Sequence, residues 1–159
     1  MPSLRLSPQE LVQRVTRAFI AAETSAAAAE SVARALVQAE IDGQKGHGLS
    51  RIESYTAQSR TGKVDGHAQP TVSRTRPGAL MVDVANGFAY PAIDMALPEL
   101  AEAARANGLA GAGFHRSHHC GAVSWHCERM AERGLVAMFF ANTPKAIAPW
   151  QGARPLFGT

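Results

Sequence analysis

His115-Arg116-Ser117-His118-His119-Cys120-Gly121-Ala122-Val123-Ser124-Trp125-His126-Cys127 holds four of the chain's six histidines and both of its cysteines within thirteen residues. To its left, Asn107-Gly108 predicts a helix end running into a short buried strand at Gly111 to Phe114. To its right, Glu128 to Arg133 has helical composition and stops at Gly134, ahead of a second apolar run, Leu135 to Ala141, whose pattern predicts another strand. The stretch is therefore a strand-to-helix junction. Gly121 permits close backbone approach there, and the free amides of the helix's first turn face the junction's mouth, which suits an anion or a cofactor amide.

Three chemistries fit such a cluster. Its histidines can cap the helix or face solvent; imidazole and thiolate can hold zinc; or the loop can contact a ligand in a catalytic site. Against zinc, His119/Cys120 and His126/Cys127 are a seven-residue step apart and no Cys-x2-Cys unit is present. No metal ligand is assigned, and a zinc-binding module stays the weakest alternative.

With 159 residues the chain suits one domain or part of a larger one, and 46% hydrophobic content can build a core. Its net charge of +3 comes from scattered basic residues, which argues against a nucleic-acid partner. Two cysteines make no disulfide framework and fit a reducing compartment. Without a signal-like opening or a long apolar run, a soluble cytoplasmic protein with no membrane partner is expected. Pro155 to Thr159 stops on turn-like residues, so the chain reads as an N-terminal piece.

In chain order, Ser7-Pro8-Gln9-Glu10 is a capping box that starts a helix running to about Ala22, with Leu11, Val15 and Phe19 as its buried stripe. A second, alanine-rich helix is expected to begin near Thr24 or Ser25 and run to Asp42, with Val32, Leu36 and Ala39 on one face. Gly43, Gly46 and Gly48 then break the helix around His47, and a third helix is expected from Leu49 to near Gly62, with Arg51 and Tyr55 one turn apart. His47 can be a solvated loop histidine, or an acid beside an anion fork: imidazole titrates near neutrality and guanidinium grips a carboxylate with two hydrogen bonds.

Lys63 to Gly78 reads as an extended crossing with a short strand near Thr71 to Ser73, followed by a strand over Ala79 to Val84 and a turn at Asn86-Gly87. A helix from Pro91 to Asn107 is expected to kink or break at Leu97, before Pro98. No glycine-rich phosphate turn follows a strand, so a Rossmann domain is not supported.

With these residues in view, the chain resembles the malate/L-lactate dehydrogenase family of the second type, an NAD(P)-dependent group. Asp42 to Tyr55 is similar to its Ser-His-Gly-x-x-Arg segment, Gly87 to Pro91 to its Gly-Phe/Gly-x-x segment, and Ser117 to Ser124 to its Ser-His-His/Asn-x-Gly/Ala-Ala loop. Ala148-Pro149-Trp150 with Gly152, then Leu156 to Thr159, resemble the loop that continues into Asn-Pro in longer members. One departure stands out: Gly46 occupies the place of the serine that many members have before the histidine.

The resemblance implies an α/β fold, with a helical N-terminal segment over residues 1–65 and part of a non-Rossmann cofactor-binding domain over 66–159. It implies His47 as proton donor, with acid/base work for His119 in some members. It further implies Arg51, Tyr55 and Thr159 as substrate contacts, and His119, Cys120, Gly121, Ala122, Val123 and Thr143 as contacts to NAD or NADP. The expected reaction is hydride transfer between a 2-hydroxy acid and a 2-oxo acid, or reduction of a cyclic imino acid, by a homodimer when full length. The competing expectation is a truncated, non-catalytic domain that partners another subunit.

Overall fold

The computed structural model describes residues 5–158. Helix α1 spans Pro8–Ile20, and its expected capping box is present: the Glu10 amide donates to Ser7 Oγ at 3.2 Å and the Ser7 amide donates to Glu10 Oε2 at 2.9 Å. Helix α2, Ala26–Ile41, is capped by Ser25, whose Oγ accepts from the Ala28 amide. Its alanines let neighbouring backbones approach, so Ala29, Val32, Ala33 and Leu36 lie fully buried among Val15 and Phe19 of α1, Tyr55, Phe88 and Tyr90. After two short 3₁₀ turns, Lys45–His47 and Leu49–Arg51, helix α3 covers Ile52–Arg60.

A three-stranded sheet follows in the order β1-β2-β3, from β1, Thr71–Arg76, β2, Ala79–Asp83, and β3, Gly111–His115. The first pair is antiparallel across a tight turn. The second is parallel, with Val82 opposite Phe114 and Asp83 opposite His115, because helix α4, Ala89–Asn107, makes the crossover between them. Val82 and Val84 face Ala92 and Ala96 of α4, which seals one side of the sheet. The ladder runs past β3, where the Asn86 amide donates to the Arg116 carbonyl at 2.8 Å. Arg116 in turn donates through Nε to Asp83 at 2.8 Å, so the end of β3 is anchored where the histidine loop departs. Helix α5, Val123–Ala131, returns from that loop. Asp94 of α4 ties three helices together, accepting from Ser31 at 2.6 Å and Arg34 at 3.1 Å on α2 and pairing with Arg129 of α5 at 2.7 Å.

Two expectations need correction. Helix α4 is unbroken through Pro98. Proline removes the bond to the carbonyl four residues earlier, but Pro98 lies on the exposed side of the helix, while Ile93, Ala96, Leu97 and Ala101 are held in the core. Water can serve the freed carbonyl, and packing keeps the helix continuous.

The run from Leu135 to Ala141 is not a strand of the sheet. Its side chains alternate as in a strand, with Leu135, Ala137 and Phe139 packed against the buried cluster of Ile93, Leu97 and Met130 while Val136, Met138 and Phe140 face outward. Period-two apolar spacing sets that alternation, but a strand also needs a neighbouring backbone about 4.8 Å away to receive its hydrogen bonds. Among the described residues no strand or bridge pairs with it. Further on, Ile147 and Phe157 pair in a short antiparallel bridge. No helix among the described residues is long and apolar enough to cross a membrane.

Candidate active site

The loop after α2 is placed from below by a carboxylate. Glu40 Oε2 accepts the Leu49 amide at 3.1 Å, and a Cβ on Gly48 would fall 2.4 Å from that same oxygen and 3.1 Å from the Glu40 amide nitrogen, so a side chain there would displace the Glu40 carboxylate from this bond. His47 is thereby turned toward the histidine loop. From the other side, Gln44 Nε2 donates to Ser124 Oγ at 2.8 Å, joining this loop to the first turn of α5.

The two loops meet ring on ring. His47 and His119 stack with centroids 5.4 Å apart and planes 13° from parallel. The hydroxyl of Tyr55, which is only 2% exposed, lies 2.6 Å from His119 Nδ1, and the Gly121 amide donates to the same nitrogen at 3.3 Å. Gly121 has φ +71, and a Cβ there would sit 2.3 Å from the Tyr90 hydroxyl, so the loop's bend depends on glycine in both conformation and space. Arg51 uses its Nε on the Gly46 carbonyl and has no carboxylate partner among the described residues, so the terminal nitrogens of its guanidinium remain for a ligand.

The four clustered histidines have separate fates. His115 is exposed at the end of β3, 3.9 Å from Asp83. His118 is wedged edge-on between Tyr55 and Phe88, with Nε2 3.1 Å from Gln58 Oε1. His126 is buried in the core with Nε2 3.0 Å from the Cys120 carbonyl, to which it donates. Only His119 faces His47. His118, half-buried, and His126, buried, therefore serve as packing pins, which accounts for much of the cluster's density without chemistry.

Burial keeps the imidazoles of His47, His118 and His119 neutral here, and Arg51 is the positive charge that acts on all three of them. Burial, then the Arg51 charge, holds the His47 imidazole below its ordinary range. Burial, then Arg51 and His47, does the same to His119. His118 is pushed down to about 4, by burial first and then by His119, Lys63 and Arg51. Burial pushes the Cys120 thiol up, which leaves it protonated and a poor nucleophile at neutral pH. Among the described residues no three His, Cys, Asp or Glu side chains converge to hold a metal ion.

Of the remaining expected site residues, Ala122 is the N-cap of α5 and lacks a side-chain cap, so the first-turn amides beside His119 are open. Gly121 and Ala122 are buried, Cys120 is half-buried and Val123 is exposed. Thr143 lies on the ribbon beyond Ala141, against Gly158, in a hollow shared with Asn142 and Phe157. Thr159 falls outside the described residues. Glu40, Gln44, Gln58 and Tyr90, which position the site, carried no local sequence signal, since each acts on a partner distant in the chain.

The sequence profile of one known family, Malate/L-lactate dehydrogenase, matches residues 6–159. The chain belongs to the malate/L-lactate dehydrogenase family. It is 47% identical over 131 residues to a (2R)-3-sulfolactate dehydrogenase (NADP(+)) of Chromohalobacter salexigens, covering 82% of this chain and 39% of that protein. It is 35% identical over 158 residues to a Delta(1)-pyrroline-2-carboxylate/Delta(1)-piperideine-2-carboxylate reductase of Pseudomonas syringae pv. tomato, covering 99% of this chain and 46% of the relative. The crystal structure of a delta1-piperideine-2-carboxylate reductase from Pseudomonas syringae pv. tomato superposes with a TM-score of 0.87 at 31% identity, over 98% of this chain and 47% of that one. The chain thus spans less than half the length of these relatives.

Proposed function

We infer that this chain carries the acid and anion-binding side of an NAD(P)-dependent oxidoreductase site, which interconverts a 2-hydroxy acid and a 2-oxo acid or reduces a cyclic imino acid. The observation that carries this reading is the stacked His47–His119 pair beside an Arg51 with no carboxylate partner among the described residues. A planar guanidinium with free nitrogens suits a substrate carboxylate, because two aligned hydrogen bonds fix its orientation. That places the adjoining carbonyl or imine beside the imidazoles, where His47 hands over a proton and His119 donates a hydrogen bond or a proton. When bound, NAD or NADP supplies or accepts the hydride. His119, Cys120, Gly121, Ala122, Val123 and Thr143 are the residues assigned to hold it, and Tyr55 and Thr159 are assigned to the substrate's surroundings.

In this reading residues 1–65 form the arm that carries His47 and Arg51, and residues 66–159 form part of the cofactor side. Support comes from the relatives, which are named for small acids: a sulfolactate and pyrroline- or piperideine-2-carboxylates.

Titration of the chain with pyruvate, followed by nuclear magnetic resonance at the Arg51, His47 and His119 side chains, tests the reading. Pyruvate is expected to shift all three. Arg51→Lys is expected to weaken binding by about 1–3 kcal/mol, the range of a charge-assisted hydrogen bond, despite the retained charge. Unmoved signals, or equal affinity in the two proteins, would remove Arg51 from the site.

A further inference from the structure

The geometry assigns Tyr55 as a positioning residue that, with the Gly121 amide, clamps His119 as a neutral imidazole whose single N–H is on Nε2. This deepens the proposed function and rests on that reading of the two loops as an acid and anion site.

The inference begins with a donor that has no choice. A backbone N–H can only donate, and that of Gly121 points at His119 Nδ1 at 3.3 Å. Nδ1 must then present a lone pair. Tyr55 Oη lies 2.6 Å from the same nitrogen, and against a lone pair a hydroxyl must donate. A neutral imidazole with an accepting Nδ1 carries its proton on Nε2. Protonating Nδ1 would set its N–H against the Gly121 amide, so the clamp also opposes the imidazolium form. Arg51 and His47, the charged and titratable groups that act on the ring from the arm, oppose it in the same direction.

The clamp is held in place from every side. Tyr55 is buried from α3, with its ring beside Phe88 and His118. Gly121 is pinned by Tyr90 of α4, which leaves no room for a Cβ. His47 has no such device, since its Nδ1 is buried without a hydrogen-bond partner. The two stacked rings are therefore unequal: His119 is fixed as a hydrogen-bond donor from Nε2, whereas no hydrogen bond fixes the tautomer of His47. A ring that only donates from Nε2 suits the carbonyl oxygen of a carboxamide or of a 2-oxo acid, and proton transfer falls to His47.

Long-range ¹H–¹⁵N spectra of the histidine rings in the ¹⁵N-labelled chain test the assignment, with His119 identified through a His119→Gln variant. At pH 7 the wild-type chain is expected to show His119 with an unprotonated Nδ1 and a protonated Nε2. Tyr55→Phe keeps the ring packing and removes one donor. It is expected to shift the His119 tautomer ratio toward Nδ1–H by a factor of about 5, the equivalent of one hydrogen bond of about 1 kcal/mol, while His126 keeps its signals and reports an intact fold. A wild-type His119 protonated on Nδ1, an imidazolium at pH 7, or an unchanged ratio in Tyr55→Phe would overturn the clamp. Because this readout needs no substrate, a chain that shows the clamp yet ignores pyruvate would sink the proposed function and leave the clamp standing.

Discussion

Helix α2 and the run from Leu135 to Ala141 are both dominated by apolar residues, yet Leu36 of α2 is 0% exposed while Val136, Met138 and Phe140 are 99%, 79% and 85% exposed. Helix α2 meets α1, α4, α5 and the two 3₁₀ turns ahead of α3, and Tyr55, Phe88 and Tyr90 join its core cluster, so nearly every side of it finds an apolar neighbour. The run beyond α5 packs one face only. Apolar composition is a demand for burial, and whether it is met depends on how many elements are present to cover it. The same contrast divides the site: His47, Arg51, Tyr55 and His119 hang from packed elements, whereas Thr143 hangs from the one-sided ribbon.

This contrast can be broken most severely in the packed half. Leu36→Ala is expected to cost about 2–5 kcal/mol, the range for deleting a fully buried leucine side chain where the surroundings cannot collapse. Urea unfolding followed by circular dichroism measures it. A loss below about 1 kcal/mol would mean that the helical block is as loosely covered as the ribbon.

A smaller effect should follow pH. The folded-state pKa of His118 is about 4, below the value of about 6.5 for an unperturbed imidazole. Between those values the unfolded chain binds more protons than the folded one, so stability rises with pH across the window and falls on acidification. Since the ring keeps some contact with solvent, the share of His118 is about 1–2 kcal/mol rather than the full shift. His47, His119 and His126 are shifted the same way. His118→Leu should therefore flatten the slope of unfolding midpoint against pH from 6.5 to 4 without abolishing it. The Asp83 carboxyl, held at about 2 chiefly by Arg116, loses its favourable pairing only in stronger acid and does not confuse the window.

The smallest effect belongs to the ribbon. Phe140→Ser should change stability by no more than about 0.5 kcal/mol, as for other exposed positions. It should nonetheless reduce self-association, since an uncovered apolar face favours contact with a second molecule. Gel filtration of the two proteins over a range of concentration reads this directly. A stability loss comparable to that of Leu36→Ala would show that the outer face of the ribbon is covered after all.

Much of this molecule was legible along the chain because the deciding interactions are local. The Ser7–Glu10 capping box, the alanine-rich α2 and the left-handed Gly108 that ends α4 each follow from residues within a few positions of one another. The motifs around His47, Arg51 and His119 likewise pointed to the family.

Local patterns fell short where the outcome rests on a partner far away. Pro98 promised a break, but the core behind α4 and the water in front of it decided otherwise. The strand-like spacing of Leu135 to Ala141 settled which side chains turn inward and not whether a backbone would pair with them. Within the histidine cluster, composition could not separate His119 from His118 and His126. That distinction came from Gln58, Tyr55 and the Cys120 carbonyl, each taking one ring nitrogen. Residue type sets what a side chain is able to do, and only the folded chain, by choosing its neighbours and its access to water, determines which of those abilities it uses.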